Sequence, residues 1–375
     1  MKLLLDKLRQ IRERSGLSEA KLEERLILGP GWVRRFETGE TTPSIDMLLA
    51  FLHASDSNLK ELVIELPESG DNGIERKISA KQSGNNIIIY FVYADHDAHY
   101  TLNNASIEQF ELIIKTLRNG LSRLSYSEKK QNEAIKTDAV VRCFLKAVRL
   151  WPHANPSDLW WFLVYRAYCD PYNHPAQFAR LDFTQSWKRT GGWALEEILV
   201  RHYGAFLKKR GINLFIADGP TKEQLIQPLF VSDRIETDKI DVVLTGDTPS
   251  GPRFFGVVHV KASFAERRTD DVPLSNVLTK AGFTSPLWTM DCKSTPSPKP
   301  VNRGELGDTN ERRSAKRKDI EDEGFFTGCF SYNLNTQPSS KEQPSERCVH
   351  LCNFSNADDA FSQFIITRWQ KFRSS

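Results

Sequence analysis

The chain has 375 residues, 39% of them hydrophobic and 26% charged, with a formal net charge of +3. That length leaves room for two or three domains with a sizeable core, and the weak positive charge permits a nucleic-acid partner without arguing for one. The six cysteines are scattered, which suits reduced thiols, and no run approaches the about 20 apolar residues of a membrane span.

The opening run Met1–Asp6 is too short for a signal peptide, so a cytoplasmic location is expected. Leu4, Leu8, Ile11 and Leu17 mark the apolar stripe of a first helix. Ser18 is a good N-cap for a second, which carries Lys21, Leu22 and Glu23. Gly29-Pro30-Gly31 predicts a turn, Trp32–Glu37 a third helix ended by Gly39, and Thr42-Pro43-Ser44 the entry to a fourth from Ile45. The stretch Arg34–Ala54 resembles the end of the recognition helix and the start of the next helix in helix-turn-helix domains of the lambda-repressor (XRE) kind. The resemblance covers residues 1–66. It implies that Arg34 and Arg35 lie on the recognition helix, where they can contact phosphates or bases. The pair Glu23-Glu24 sits on the second helix, where its charge would repel phosphate. By its residues alone the segment also fits a small helical docking or dimerisation domain.

Residues 67–75 read as a linker by composition. Residues 76–130 predict a small α+β insert, with strands at Ile87–Tyr93 and from His99, then a helical spacing from Ile107 to Leu124. His96 and His99 read there as loop and edge-strand residues. The remainder, 131–375, opens with a helical, tryptophan-rich region to about 210, and Gly191-Gly192 predicts a turn just before the helix that carries Glu196. An acidic residue in the first turns of a helix is favoured by the dipole, so an exposed structural role is the simplest reading of Glu196 alone. Strands are predicted at Leu214–Ala217, Asp241–Leu244, Phe254–Val260 and Leu287–Met290, and a closing helix at Phe361–Phe372. The charge run Arg312–Glu323 reads as a solvated helix or loop.

Chemistry gathers at two of these strands. Asp241 opens one apolar run and Lys261 closes the next, with Gly246, Pro249, Gly251 and Pro252 marking a turn between them. Pairing of the two strands brings the carboxylate and the ammonium together. A carboxylate can hold a divalent metal, and a neighbouring lysine can orient water and offset charge on a phosphate. Cys348, His350 and Cys352 lack the partner cluster that a structural zinc needs.

Taken in order, Arg189, Glu196, Asp241, Lys261, Ser263, Glu266, Arg267 and Asp271 resemble the pattern of type II restriction endonucleases of the PD-(D/E)XK superfamily. The branch is the one that cuts palindromes with a CCGG core, and Val260–Ser275 is the most specific stretch. The resemblance implies an α/β (α+β) fold, a mixed sheet flanked by helices, behind the all-α first domain and the small insert. It implies Mg2+ as cofactor, with Mn2+ as a substitute, and double-stranded DNA as partner. A homodimer or higher oligomer is also implied, as is a cognate methyltransferase in the same system that is not a physical partner.

By resemblance Asp241 is the first metal ligand and Lys261 the active-site lysine. The second carboxylate is Asp271, with Asp270 as the alternative, because His259 occupies the position two before the lysine where the superfamily commonly has Glu or Asp. Glu196, the helix glutamate near the site, would be a further catalytic metal ligand. Glu266 and Arg267, helped by Arg189 and flanked by Arg268, would read the core: arginine donates bidentately to guanine O6 and N7, and glutamate accepts from cytosine N4. Ser263 would cap the helix carrying these readers. Two other classes compete, a helix-turn-helix transcriptional regulator with a ligand-sensing C-terminal domain, and a toxin–antitoxin or phage-defence component that binds without cutting. Neither has a use for a carboxylate and a lysine at paired strand ends.

Overall fold

The computed structural model describes residues 2–41, 44–58, 74, 76–93, 96–126, 129–179, 181, 183, 185–263, 268–292, 302–307 and 313–374. The chain divides into two compact units, Met1–Asn72 and Gly73–Ser375. Apart from Ile74, the segment read as a linker lies outside the described residues. No helix among the described residues is long and apolar enough to cross a membrane.

The first unit holds α1 (Lys2–Arg14), α2 (Glu19–Leu26), α3 (Trp32–Glu37) and α4 (Ile45–Ala54). Ser18 caps α2 by accepting the Lys21 N–H, as its residue type predicts. Leu8, Ile11, Leu17, Leu22, Val33, Phe36, Phe51 and Leu52 form the core. Arg12 is buried in it and forms a two-pronged pair with Glu37, at 2.7 and 2.9 Å, while also donating to the Leu17 carbonyl. Glu23 does not face outward as its charge suggested. It is 7% exposed, and its carboxylate accepts the Val33 N–H at 3.0 Å. It satisfies one of the free donors at the start of α3, so it presents no charge to a phosphate.

The second unit begins with an antiparallel sheet of β1 (Ile78–Ser83), β2 (Asn86–Tyr93) and β3 (His96–Leu102), followed by α5 (Ile107–Leu121). Ser106 and Gln109 close a reciprocal capping box on α5. Next come α6 (Lys129–Leu150) and α7 (Pro156–Trp161), which runs on as a π-turn, Phe162–Ala167. Then α8 (Ser186–Lys208) leads to β4 (Ile212–Phe215), α9 (Gly219–Ile226), β5 (Val242–Thr248) and β6 (Gly251–Lys261). The chain continues through α10 (Arg268–Lys280), β7 (Leu287–Thr289), α11 (Ala315–Glu321), β8 (Cys329–Ser331), β9 (Val349–Leu351) and α12 (Ala360–Ser374).

Among the described residues six strands form one mixed sheet, ordered β4-β5-β6-β7-β8-β9. It is antiparallel from β4 to β6 and parallel from β6 to β9. This is the expected mixed sheet flanked by helices. One continuous core joins Ile89 and Phe91 of the small sheet, Trp160 and Trp161 of α7, Leu195 and Ile198 of α8, and Val258 and Trp288 of the large sheet. At Gly256 a Cβ would lie 2.0 Å from the Thr284 carbonyl oxygen, so only glycine allows β6 to approach the chain ahead of β7 there.

Two local expectations fail for the same reason. Gly191 and Gly192 lie inside α8, not in a turn before it. Each glycine costs a helix about 1 kcal/mol relative to alanine, which the burial of Ala194, Leu195, Ile198 and Leu199 outweighs. The charge run read as solvated contains a buried network. Arg317 is 0% exposed and donates to Glu321 and to the Gly307 and Gln337 carbonyls. A local charge pattern cannot anticipate acceptors supplied by distant backbone.

Candidate active site at the ends of β5 and β6

The β5–β6 hairpin pairs Val242 with Val258, which sets Asp241 beside the last residues of β6. Its carboxylate accepts the Val260 N–H at 2.8 Å and the Lys261 ammonium at 2.6 Å. Residues two apart on a strand share a face, so His259 and Lys261 point the same way. Across from them α10 brings in Asp271, whose Oδ1 lies 3.4 Å from Lys261 Nζ and 3.6 Å from His259 Nδ1. Lys261, Asp241 and Asp271 side chains are 8%, 11% and 2% exposed, so their charges act with little screening by water. Burial pushes the Asp271 carboxyl up, but the facing His259 ring and the Lys261 charge outweigh it and hold Asp271 below the usual carboxylate range.

Asp241, His259 and Asp271 each offer one ligand atom, and these atoms lie within 4.8 Å of one another. Asp271 Oδ2 and His259 Nδ1 are buried with no hydrogen-bond partner among the described residues. Two buried carboxylates with an unmet oxygen fit a divalent cation, which would satisfy what the protein leaves open. Of the two aspartates weighed as second carboxylate, Asp271 is in the cluster, and the Asp270 side chain lies outside the described residues.

A cleft of about 380 Å3 opens over this cluster, and Lys188, Arg189, Glu196, Asp241, Lys261 and Ser263 line it. The π-turn after α7 contributes Val164 and Tyr165 to its lining. Glu196 is therefore in the cleft but is not among the residues whose ligand atoms converge. Arg189 pairs with Glu133 of α6 at 3.2 Å and lies over the Trp193 ring. Glu266 and Arg267 lie outside the described residues, and of Arg268 only the backbone, at the start of α10, is described. Ser263 does not cap α10, which begins at Arg268; its hydroxyl donates to Glu305 at 2.8 Å. Arg34 and Arg35 are exposed on α3 of the first unit.

In the sequence His259 stands where a carboxylate is common. In the fold its Nε2 meets Ser285 Oγ at 2.9 Å, and Ser285 Oγ meets Ser275 Oγ of α10 at 2.8 Å. The strand period was the available signal, since His259 shares a face with Lys261.

Residues 3–59 match a helix-turn-helix domain family. The type II restriction enzyme AgeI of Thalassovita gelatinovora is 37% identical over 279 residues, which cover 72% of this chain and 95% of that enzyme. A crystal structure of the specific AgeI–DNA complex superposes with a TM-score of 0.63 and 33% identity, covering 78% of this chain and 99% of that one. A crystal structure of a pre-specific BsaWI–DNA complex aligns with a TM-score of 0.35 and 15% identity over 71% of this chain and 94% of that one.

Proposed function

The chain belongs to the family of the type II restriction enzyme AgeI, and on that premise we propose that it cleaves both strands of palindromic DNA with a CCGG core, with Mg2+ as cofactor and Mn2+ as a substitute. The observation that carries the chemistry is the buried convergence of Lys261 on Asp241 and Asp271, at 2.6 and 3.4 Å. Asp241 and Asp271 would hold the cation. When bound, a divalent cation polarises the phosphate and makes water a better nucleophile. Lys261 lies between two carboxylates, at 2.6 and 3.4 Å, and is placed to donate to a phosphate oxygen or to the attacking water. Glu196 completes the acidic wall of the cleft from α8.

Recognition is assigned to the residues around this centre. Glu266 and Arg267, with Arg189 from the cleft wall, would read the CCGG core, and Arg268 would contact the DNA beside them. A palindrome has two equivalent halves, so the chain is proposed to act as a homodimer on its site. Residues 1–66 form the accessory DNA-binding module, with Arg34 and Arg35 at its contact surface, and 67–75 link it to the insert (76–130) and the nuclease part (131–375).

Incubation of the full chain with plasmids that carry or lack CCGG-core palindromes, with Mg2+ and with EDTA, tests the reading. Discrete double-strand fragments that need both metal and site are expected, and run-off sequencing of the ends gives the flanking bases and the cut position. Cutting without dependence on the core, or with EDTA present, would sink the assignment.

A further inference from the structure

We propose that His259 supplies a nitrogen ligand to the divalent cation, so that the site is two carboxylates plus an imidazole and not carboxylates alone. The inference rests on the cation site proposed above and deepens it. The ring is fully buried, and its Nδ1 has no hydrogen-bond partner among the described residues while facing the Asp271 carboxylate at 3.6 Å. That separation, to Asp271 Oδ1, is too long for a hydrogen bond, and the other carboxylate oxygen, Oδ2, also has no partner among the described residues. Two unmet polar atoms on residues whose ligand atoms converge with one from Asp241 within 4.8 Å point to a shared third party.

The far side of the ring is built as the far side of a metal-binding histidine usually is. Nε2 meets Ser285 Oγ, and Ser285 is anchored in turn to Ser275 on α10. Such an outer partner fixes the ring and its tautomer: a proton on Nε2 donated to Ser285 leaves the lone pair on Nδ1, on the cation's side. Phe326 packs edge-on against the ring, with centroids 5.3 Å apart, and bars it from swinging away. The same relay ties Asp271 and His259 into one unit, because Ser275 lies one turn after Asp271 on the same face of α10. A neutral nitrogen in place of a third carboxylate makes the site less negative and softer. It therefore favours Mn2+ or Co2+ relative to Mg2+ more than an all-oxygen site would.

Mn2+ bound to the full chain is the probe, read by pulsed electron paramagnetic resonance without DNA. Nitrogen coupling is expected, and its pattern should change when the protein is made with 15N-labelled histidine. His259→Gln should abolish the coupling and weaken Mn2+ roughly tenfold while weakening Mg2+ clearly less. Should that variant fail to fold, the labelled parent decides alone, since His259 is the histidine that the described residues place in the cluster. Mn2+ that is lost in Asp241→Ala but shows no histidine nitrogen coupling would overturn the proposal and leave the carboxylate site standing. Mn2+ binding that is indifferent to Asp241→Ala would overturn the cation site itself.

Discussion

Ser263 Oγ donates at 2.8 Å to a carboxylate oxygen of Glu305, a residue forty-two positions further along the chain. The same oxygen takes the Lys316 ammonium at 2.7 Å. The Glu305 backbone is itself fixed, because Asp291, just past β7, accepts the Glu305 and Leu306 N–H groups at 2.7 and 3.2 Å. Since Lys261 pairs with Thr289 of β7, the end of β6 is held both by its neighbouring strand and by this clamp. In sequence the proposed base readers Glu266 and Arg267 follow Ser263 by three and four positions.

Glu305→Ala is therefore expected to destabilise the second unit by about 1–3 kcal/mol, through the acceptor lost to Ser263 and Lys316. It should also slow cleavage of a cognate duplex while leaving Mn2+ binding intact. Denaturant unfolding, metal titration and single-turnover cleavage measure the three quantities. Unchanged stability together with an unchanged rate would remove the clamp from the account.

Asp241→Ala and Lys261→Ala should each lower the cleavage rate by at least on the order of 10²–10³-fold, the size of losing one positioned electrostatic group. Binding to a cognate duplex, measured with Ca2+ in place of Mg2+, should largely persist. Wild-type cutting by either variant at saturating metal would show that the centre lies elsewhere.

Replacement of Glu266 or Arg267 by alanine should cost roughly 1–3 kcal/mol of discrimination each, because a base-edge contact is lost. Competition between cognate and random duplexes reads this directly. An equal loss on both would identify contacts to phosphate and not to bases.

The Arg12–Glu37 pair offers a way to weaken the first unit inside the intact chain. Its side chains are 8% and 5% exposed, and removal of one partner of a buried pair costs about 3–5 kcal/mol. Glu37→Ala should unfold the first unit at lower temperature and reduce affinity for DNA, yet leave specific cutting, since the proposed centre lies wholly in the second unit. Specific binding without any cutting at high enzyme concentration would place part of the active assembly in residues 1–66.

His174 gives a pH dependence. Burial pushes its imidazole down to about 4, while its Nε2 is held at the Tyr168 carbonyl. Between that value and the ordinary pKa of about 6.5 the unfolded chain binds more protons than the fold does. The contribution is therefore complete above about pH 6.5 and is lost as pH falls toward 4, by roughly 3 kcal/mol in all. Asp291, which burial pushes up to about 6, works in the opposite sense: its stabilising contribution grows on acidification from about pH 6. His174→Gln should thus lose less stability than the parent between pH 7 and pH 5 in denaturant unfolding. A steeper loss would contradict a neutral buried imidazole.

Features whose causes are local were legible in the residues alone. Ser18 caps α2 because a hydroxyl before a helical stripe finds its own N–H donors. Asp241 meets Lys261 because two apolar runs joined by a short turn can pair in few registers, and the strand period then decides which side chains share a face. Asp271 was within reach only through resemblance, since no spacing says how α10 docks against β6. Packing between elements set the rest. It turned Glu23 inward to the start of α3, buried Arg317 among carbonyls from Gly307 and Gln337, and carried α8 straight through Gly191 and Gly192. It set Ser263 against Glu305, and His259 between Ser285 and Asp271. In each case the partner or the buried surface comes from a different element. The free energy that selects the arrangement is the satisfaction of polar groups in a core that exists only once the elements have packed.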